Sequence, residues 1–219
     1  MPQASPHSAP STVRPFRHSR RCSNWSTAEA VDQFPSLLGG ESLHGSSTAQ
    51  AMAGYATLSA AYGQGVTARD DLGGSAELNW TTTELVLGAF WRRQLGRPGS
   101  WDLAMRLGAG WYLDAGSTYI YEGNLEDRGL QLSPGLALST RGIGLLAFAF
   151  DLPVTFTTWR GGGIWVAPRL AASYEAALYD RLALGVRGSV AWRGGSGGAP
   201  MRGGQVLPEL LVTATWKLF

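Results

Sequence analysis

The sequence predicts an all-β fold: a closed, antiparallel, eight-stranded transmembrane β-barrel over residues 49–219. From about residue 50, apolar residues alternate with polar or small ones, and no helical period appears. Charged residues make up 16% of the 219 residues, well below the roughly 25% typical of soluble domains. No apolar run reaches the roughly 18 residues that a transmembrane helix needs, so any membrane crossing has to be made by strands.

The alternation is clearest in the stretch WDLAMRLGAGWYLD, residues 101–114. One face carries only apolar residues, which are Trp101, Leu103, Met105, Leu107, Ala109, Trp111 and Leu113. The other face carries Asp102, Arg106, Tyr112 and Asp114 among small residues. Because successive side chains of a strand point to opposite faces, this strand is predicted to have an oily side and a polar side.

Extending the pattern along the chain predicts eight strands. They cover residues 50–62, 82–95, 101–114, 128–140, 143–157, 164–179, 181–193 and 204–219. The connections between them alternate strictly between long and short. Transmembrane β-barrels have short turns at one end, longer loops at the other and an even number of strands. The sequence therefore predicts four longer loops on one side and both chain ends on the opposite side.

Most charged side chains of the predicted strands fall on one face. They are Glu84, Arg92, Asp102, Arg106, Asp151, Arg169, Glu175, Arg187, Arg193, Glu209 and Lys217. Each Arg or Lys facing lipid near the midplane would cost about 2–4 kcal/mol, so this face is predicted to line the lumen and close it with a salt-bridge network. A soluble, lipocalin-like barrel would instead turn this face to water. The many small residues on it, and the single lysine of the chain, favour the membrane arrangement.

Tryptophans fall near the predicted strand ends. The positions are Trp80, Trp91, Trp101, Trp111, Trp165, Trp192 and Trp216. Tryptophan is enriched at both membrane–water interfaces, where its ring is half buried and its N–H stays wet. We therefore expect these seven residues to form two interfacial belts.

Three strands share an internal repeat of the form apolar-x-Pro-x-Leu, centred on Pro134, Pro168 and Pro208. Proline cannot donate to a β ladder and is usually confined to edges, strand starts and bulges. The repeat indicates either a shared bulge near the loop side or strands that begin just after each proline.

The last strand ends in VTATWKLF, an alternating segment closed by Phe219. In this, residues 50–219 resemble the small bacterial outer-membrane β-barrels of the OmpA transmembrane domain and OmpX type. The resemblance implies that Trp216, Leu218 and Phe219 form the signal read by the barrel-assembly machinery. It also implies a monomer embedded in the lipid of a bacterial outer membrane.

Residues 1–48 are rich in Ser, Pro, Ala and Arg and have no sustained period, which predicts a disordered N-terminal extension. They contain no apolar segment of the kind that a signal peptide needs. Ala49-Gln50-Ala51 has the small-x-small form of a signal-peptidase site. The segment is therefore either an aberrant export segment or an ordinary linker.

Catalytic and cofactor chemistry is not predicted. His7, His18 and His44 all lie in the N-terminal extension, so the strands offer no general base for a Ser-His-acid site. Cys22 is the only cysteine. The loop residues Glu122, Glu126 and Asp127 have no spacing that would force oxygens to converge on calcium. A net charge of +2 with scattered bases argues against nucleic acid as a partner.

The predicted function is structural anchoring in the outer membrane, or interaction with a surface partner through four extracellular loops. One alternative is a narrow channel or a conduit for hydrophobic ligands across the same membrane. A second alternative is the soluble lipocalin-like ligand-binding barrel.

Overall fold

The structure is a computed structural model that describes residues 34–116, 126–158, 162–197 and 205–219. These residues form twelve strands. They are β1 (Ser47–Gly54), β2 (Thr57–Gly65), β3 (Asp70–Asn79), β4 (Glu84–Gly96), β5 (Trp101–Asp114), β6 (Asp127–Arg141), β7 (Leu145–Asp151), β8 (Val154–Thr157), β9 (Gly163–Val166), β10 (Arg169–Tyr179), β11 (Leu182–Gly197) and β12 (Gln205–Lys217). Within the described ranges, no helix has the length and apolarity to cross a membrane.

Ten of the strands close into a ring with antiparallel neighbours. The order is β1-β2-β3-β4-β5-β6-β7-β10-β11-β12, and β12 pairs with β1 to complete it. The backbone N–H of Ser47 donates to the carbonyl of Phe219 at 3.0 Å, and that of Leu218 donates to the carbonyl of Ser47 at 2.8 Å. The short strands β8 and β9 pair with each other beyond this ring, between the far ends of β6 and β11.

The register defines the stagger of the ring. The cross-strand partners can be followed around the ring from Met52 on β1. Through β12, β11, β10 and β7 they lead to Arg141 on β6, and through β2, β3, β4 and β5 they lead to Gly129 on the same strand. The two end points are twelve residues apart. With a rise of about 3.3 Å per residue and strands about 4.8 Å apart, this stagger over ten strands corresponds to a tilt of about 40°.

The fold class is confirmed as an all-β, closed, antiparallel barrel, but the predicted number of eight strands is wrong. The segment 50–62 contains two strands, β1 and β2, joined by a turn at Tyr55 and Ala56. The supposed long connection after it contains β3, which pairs with both β2 and β4. Alanine, glycine and serine dominate these strands, so the contrast between their two faces is weak in the sequence.

The predicted strict alternation of long and short connections is also wrong. At the end that holds the strand termini Ser47 and Lys217, the four connections are short and cover residues 66–69, 97–100, 142–144 and 180–181. We call this the terminal end. The opposite, far end has five connections of unequal length, which cover residues 55–56, 80–83, 115–126, 158–162 and 198–204. Residues 117–125, which include Glu122, lie outside the described part of the chain.

The two faces of the sheet are divided as the alternation predicts. On β5, Leu107 and Trp111 are 47% and 48% exposed on the outer face, whereas Asp102 is 2% exposed on the inner face. The same division continues around the ring, where Leu72, Val190 and Leu210 lie outside. The barrel therefore has an apolar outer surface and a polar interior.

Five of the tryptophans on the outer face lie at two levels. Near the terminal end are Trp101 and Trp216, and near the far end are Trp80, Trp111 and Trp192. Trp91 pairs in register with Leu107, about midway along β5, so it lies between the two levels and outside the predicted belts. The prediction for Trp165 is wrong. Its neighbour Ile164 points outward, so Trp165 points inward and is only 8% exposed.

The repeated prolines do not share one role. Pro134 lies inside β6, where the carbonyl accepts from the Leu152 N–H at 2.8 Å, and Pro168 separates β9 from β10. Pro208 lies on β12 beyond Leu211, the last residue that pairs with β1. Because no β1 residue lies opposite it, its missing N–H costs no hydrogen bond to β1. Its carbonyl accepts a hydrogen bond from the Tyr55 hydroxyl at 2.8 Å.

Residues 34–46 lie inside the ring at the terminal end, and we call this segment the plug. Phe34, Leu37, Leu38 and Leu43 are each at most 5% exposed. This differs from the disorder predicted for residues 1–48, of which residues 1–33 lie outside the described ranges. The supposed cleavage motif at residues 49–51 is part of β1, so cleavage there would remove the plug and half of a barrel strand.

Candidate functional site

A buried ion pair holds the plug to the barrel wall. The Nε of Arg92 donates to Oδ2 of Asp71 at 2.8 Å, and both side chains are almost completely buried. The Nη1 of Arg92 also donates to the carbonyls of Ser36 and Gly39, each at 3.0 Å. The other oxygen of Asp71 accepts from the backbone N–H of Leu43 at 2.9 Å. The pair therefore satisfies backbone groups at both ends of the plug.

A second set of contacts anchors the plug on the opposite side of the ring. The Ser36 hydroxyl donates to the buried carboxylate of Glu175, which also accepts from the Gln50 amide at 3.2 Å. Arg141 forms an ion pair with Glu41 and donates to the carbonyl of Phe34 at 2.5 Å. Strands β6 and β10 thus contribute polar partners to one short segment.

The plug also makes close backbone and apolar contacts. Leu37 and Leu43 pack with Phe90 of β4 in one buried cluster. A Cβ on Gly40 would collide with the backbone carbonyls of Asp102 and Ala137. Only glycine fits at this position without moving the plug.

Above the plug, the lumen holds a cavity of about 620 Å³. Leu37 and Leu38 of the plug line its bottom with Phe90, and Tyr55 and Trp80 line it at the far end. Its volume falls within the roughly 300–1,000 Å³ of typical small-molecule sites. The barrel is therefore a cup, closed at the terminal end by its own chain.

Ion pairs connect the strands across the lumen of the cup at different heights. Arg169 on β10 reaches Glu77 on β3 at 3.1 Å. Nearer the far end, Arg193 pairs with Glu84 and donates to the Tyr112 hydroxyl at 3.2 Å. Arg187 and Asp151 are more loosely associated, at 3.8 Å.

The predicted lumen residues separate into two layers. Those at the level of the plug are Arg92, Asp102, Glu175 and Lys217, and those that line the cavity are Glu84, Arg106, Asp151, Arg169, Arg187, Arg193 and Glu209. Asp102 pairs with Arg97 of the neighbouring turn at 2.9 Å. No side-chain contact of Lys217 contributes to the network described above.

Several partners were missed from the sequence, namely Glu41, Asp71, Glu77, Arg97 and Arg141. Asp71 and Glu77 belong to β3, whose stretch DDLGGSAELN does alternate between Leu72 or Leu78 on one face and acids on the other. That weak alternation is the signal that could have located them. Glu41 has no such signal, because its segment has no regular period.

Two charged groups in the cavity, Arg106 and Glu209, form no close ion pair within the described residues. The guanidinium of Arg106 lies over the ring of Phe90, 5.6 Å from its centroid, and forms no ion pair with a described carboxylate. Glu209 accepts a hydrogen bond from the Ser189 hydroxyl at 3.3 Å. No group of three or more His, Cys, Asp or Glu side chains that could hold a metal occurs in the described part of the chain.

No protein-family model matches the sequence, and no curated protein or solved structure matches it.

Proposed function

We propose that the chain is a bacterial outer-membrane β-barrel that is closed by its own plug and acts as an anchored, monomeric scaffold. The observation that carries this proposal is the inverted distribution of polarity. Large apolar side chains such as Leu107, Val190 and Leu210 are exposed around the outer surface, whereas Asp71 and Arg92 are buried. An exposed apolar surface of this extent marks a site of membrane or protein contact.

The spacing of the tryptophans supports a membrane belt. Trp101 and Trp111 are ten residues apart on β5, which is about 33 Å along the strand and about 25 Å along the axis at a tilt of about 40°. The apolar band of outer-membrane barrels is about 25 Å tall and is bordered by aromatic residues. The soluble lipocalin-like alternative would need the apolar face inside, where charged groups such as Arg92 lie.

The different lengths of the connections at the two ends of the barrel support one orientation in the membrane. Short turns typically face the periplasm and longer loops face outward, so the terminal end would be periplasmic and the five far-end connections extracellular. A surface partner would meet these five connections and the open cup. Because the plug fills the terminal end, a through-channel in the resting state is disfavoured, and the cup favours ligand binding as the second candidate function.

Adjacent positions on β6 provide a matched test. Leu132 is 45% exposed on the outer face, and Ser133 lines the cavity. With Cys22 changed to Ser, each position is changed to Cys, spin-labelled and reconstituted in vesicles. We expect the label at 132 to be relaxed by oxygen dissolved in lipid and the label at 133 by an aqueous nickel chelate. Equal aqueous access at both positions would contradict membrane insertion.

A further inference from the structure

The floor of the cavity combines apolar walls with arginines. Phe90 and Leu37 belong to the buried cluster that joins the plug to β4, and Met52 lies beside them in the cavity lining. Arg106 stacks on Phe90 at this level. Arg106 pairs in register with Arg92 on the neighbouring strand and lines the same cavity as Arg187, so the positive charges of these arginines repel one another.

The acids of the cavity are concentrated around a different arginine. Arg169 interacts with Glu77, Glu209 and Asp151 together. Asp151 is also the partner of Arg187 but stands 3.8 Å from it, beyond hydrogen-bonding distance. Among the described residues, Arg106 at the floor of the cavity therefore has no close ion-pair partner, and Arg187 is only loosely paired with Asp151.

Two further donors lining the same cavity lack partners. Nε1 of Trp165 and Oγ of Ser59 are buried. Neither atom forms a hydrogen bond with a described residue. Trp165 is more than nine-tenths buried, and Arg193 lies over its ring at 5.2 Å from the centroid. Buried polar groups nearly always have a partner, and an indole N–H can only donate. The missing partner is therefore an acceptor.

We propose that the cup binds a small amphipathic organic anion. Its carboxylate or similar anionic group binds between Arg106 and Arg187, and its apolar part lies against Phe90, Met52 and Leu37. Near the far end, the unpartnered N–H of Trp165 offers a separate donor at the mouth of the cup. Arginine binds carboxylates through paired, charge-assisted hydrogen bonds, and a cavity with low-dielectric walls strengthens the field of its charges. This inference rests on the plugged cup of the proposed function.

The test uses 4-phenylbutyrate and its neutral amide, 4-phenylbutyramide, as probes. Binding is measured by isothermal titration calorimetry on the folded full chain in nanodiscs, with empty nanodiscs subtracted. We expect saturable binding of the anion and at least tenfold weaker binding of the amide, since hydrogen bonds to charged groups are the strong ones. Equal affinity for the two probes, or no saturable binding of the anion, would overturn the proposal.

Variants then locate the site. Arg106→Gln and Arg187→Gln are each expected to weaken binding of 4-phenylbutyrate about tenfold or more. Arg93→Gln removes the same charge from the exposed outer face, where the side chain is 50% exposed, and should change affinity less than twofold. Arg106→Lys keeps the charge and should retain part of the affinity. If Arg93→Gln weakens binding as much as Arg106→Gln, the effect is not local and the site is refuted.

Absence of the anion site and absence of membrane insertion give different experimental results. The labels at positions 132 and 133 report on membrane insertion alone, whereas the two probes report on the cup. Correct label accessibility together with equal affinity for anion and amide would reject only the anion site.

Discussion

Replacing Arg92 by Ala should release the plug from the barrel wall. The side chain is 1% exposed and holds Asp71 as well as the carbonyls of Ser36 and Gly39. Its removal leaves a buried carboxylate without its counter-charge and two plug carbonyls without a donor. Arg92→Ala therefore perturbs the plug directly while leaving the strand register intact.

The magnitude follows from the burial. Breaking a buried ion pair by removing one partner costs about 3–5 kcal/mol. Asp71 keeps its hydrogen bonds from the Ser42 hydroxyl and the Leu43 N–H at 3.1 and 2.9 Å, which offset part of this cost. We expect a loss of about 3 kcal/mol in the free energy of opening the plug, against total stabilities of about 5–15 kcal/mol for typical domains.

Hydrogen exchange read by mass spectrometry measures this loss. Peptides that cover residues 34–46 should exchange about 100-fold faster in Arg92→Ala, because about 1.4 kcal/mol corresponds to a factor of ten. Peptides from β5 should be nearly unchanged. Replacing both Arg92 and Asp71 by apolar residues of similar size should restore much of the protection, since apolar substitutes for a buried pair are often neutral.

The neighbouring residues supply the control. Arg93 and Asp70 are adjacent to the buried pair on the same two strands but face outward, 3.6 Å apart, with the arginine 50% exposed. Because this pair points away from the lumen and the plug, Arg93→Ala should leave exchange in residues 34–46 unchanged. If Arg92→Ala also leaves that exchange within threefold of wild type, the buried pair does not hold the plug and the reasoning fails.

Three further changes test the plug and the outer face. Deletion of residues 34–46 should give stable conductance steps in planar bilayers where the full chain gives none; a silent deletion variant would mean that the wall network alone blocks the lumen. Gly40→Ala, whose Cβ would collide with the carbonyl of Asp102, should accelerate exchange of the plug, whereas Gly96→Ala, with open space around it, should not. Leu107→Arg should reduce the unfolding free energy in bilayers by about 2–4 kcal/mol in urea titrations, and a loss below about 1 kcal/mol would argue against a lipid-facing position.

The alternation along β5 was sufficient to divide the barrel into an outer and an inner face. Leu107 and Arg106 lie as the pattern predicts, because a period of two is a local property of an extended chain. The number of strands was not predictable in the same way. The segment of β1 and β2 is rich in small residues, and its turn at Tyr55 and Ala56 contains no Gly, Pro, Asn or Asp to mark it.

The orientation of individual side chains was predictable only where the strand phase was known. Trp165 was assigned to an interface because it lies near a strand end, but its alternation with Ile164 directs it into the cavity. Asp71 and Glu77 were missed because β3 itself was missed. Once β3 is placed between β2 and β4, Asp71 pairs with Arg92 on the adjacent strand, and Glu77 faces Arg169 across the lumen.

By itself, the sequence determined the class of fold and the apolar and charged faces, since these follow from residue alternation within each segment. Only the tertiary structure decided the plug and the cup. Ser36 meets Glu175 across 139 positions of the chain, and Glu41 meets Arg141 across 100. Such contacts depend on where the ring closes and how far its strands are staggered, and neither quantity is written in any local pattern.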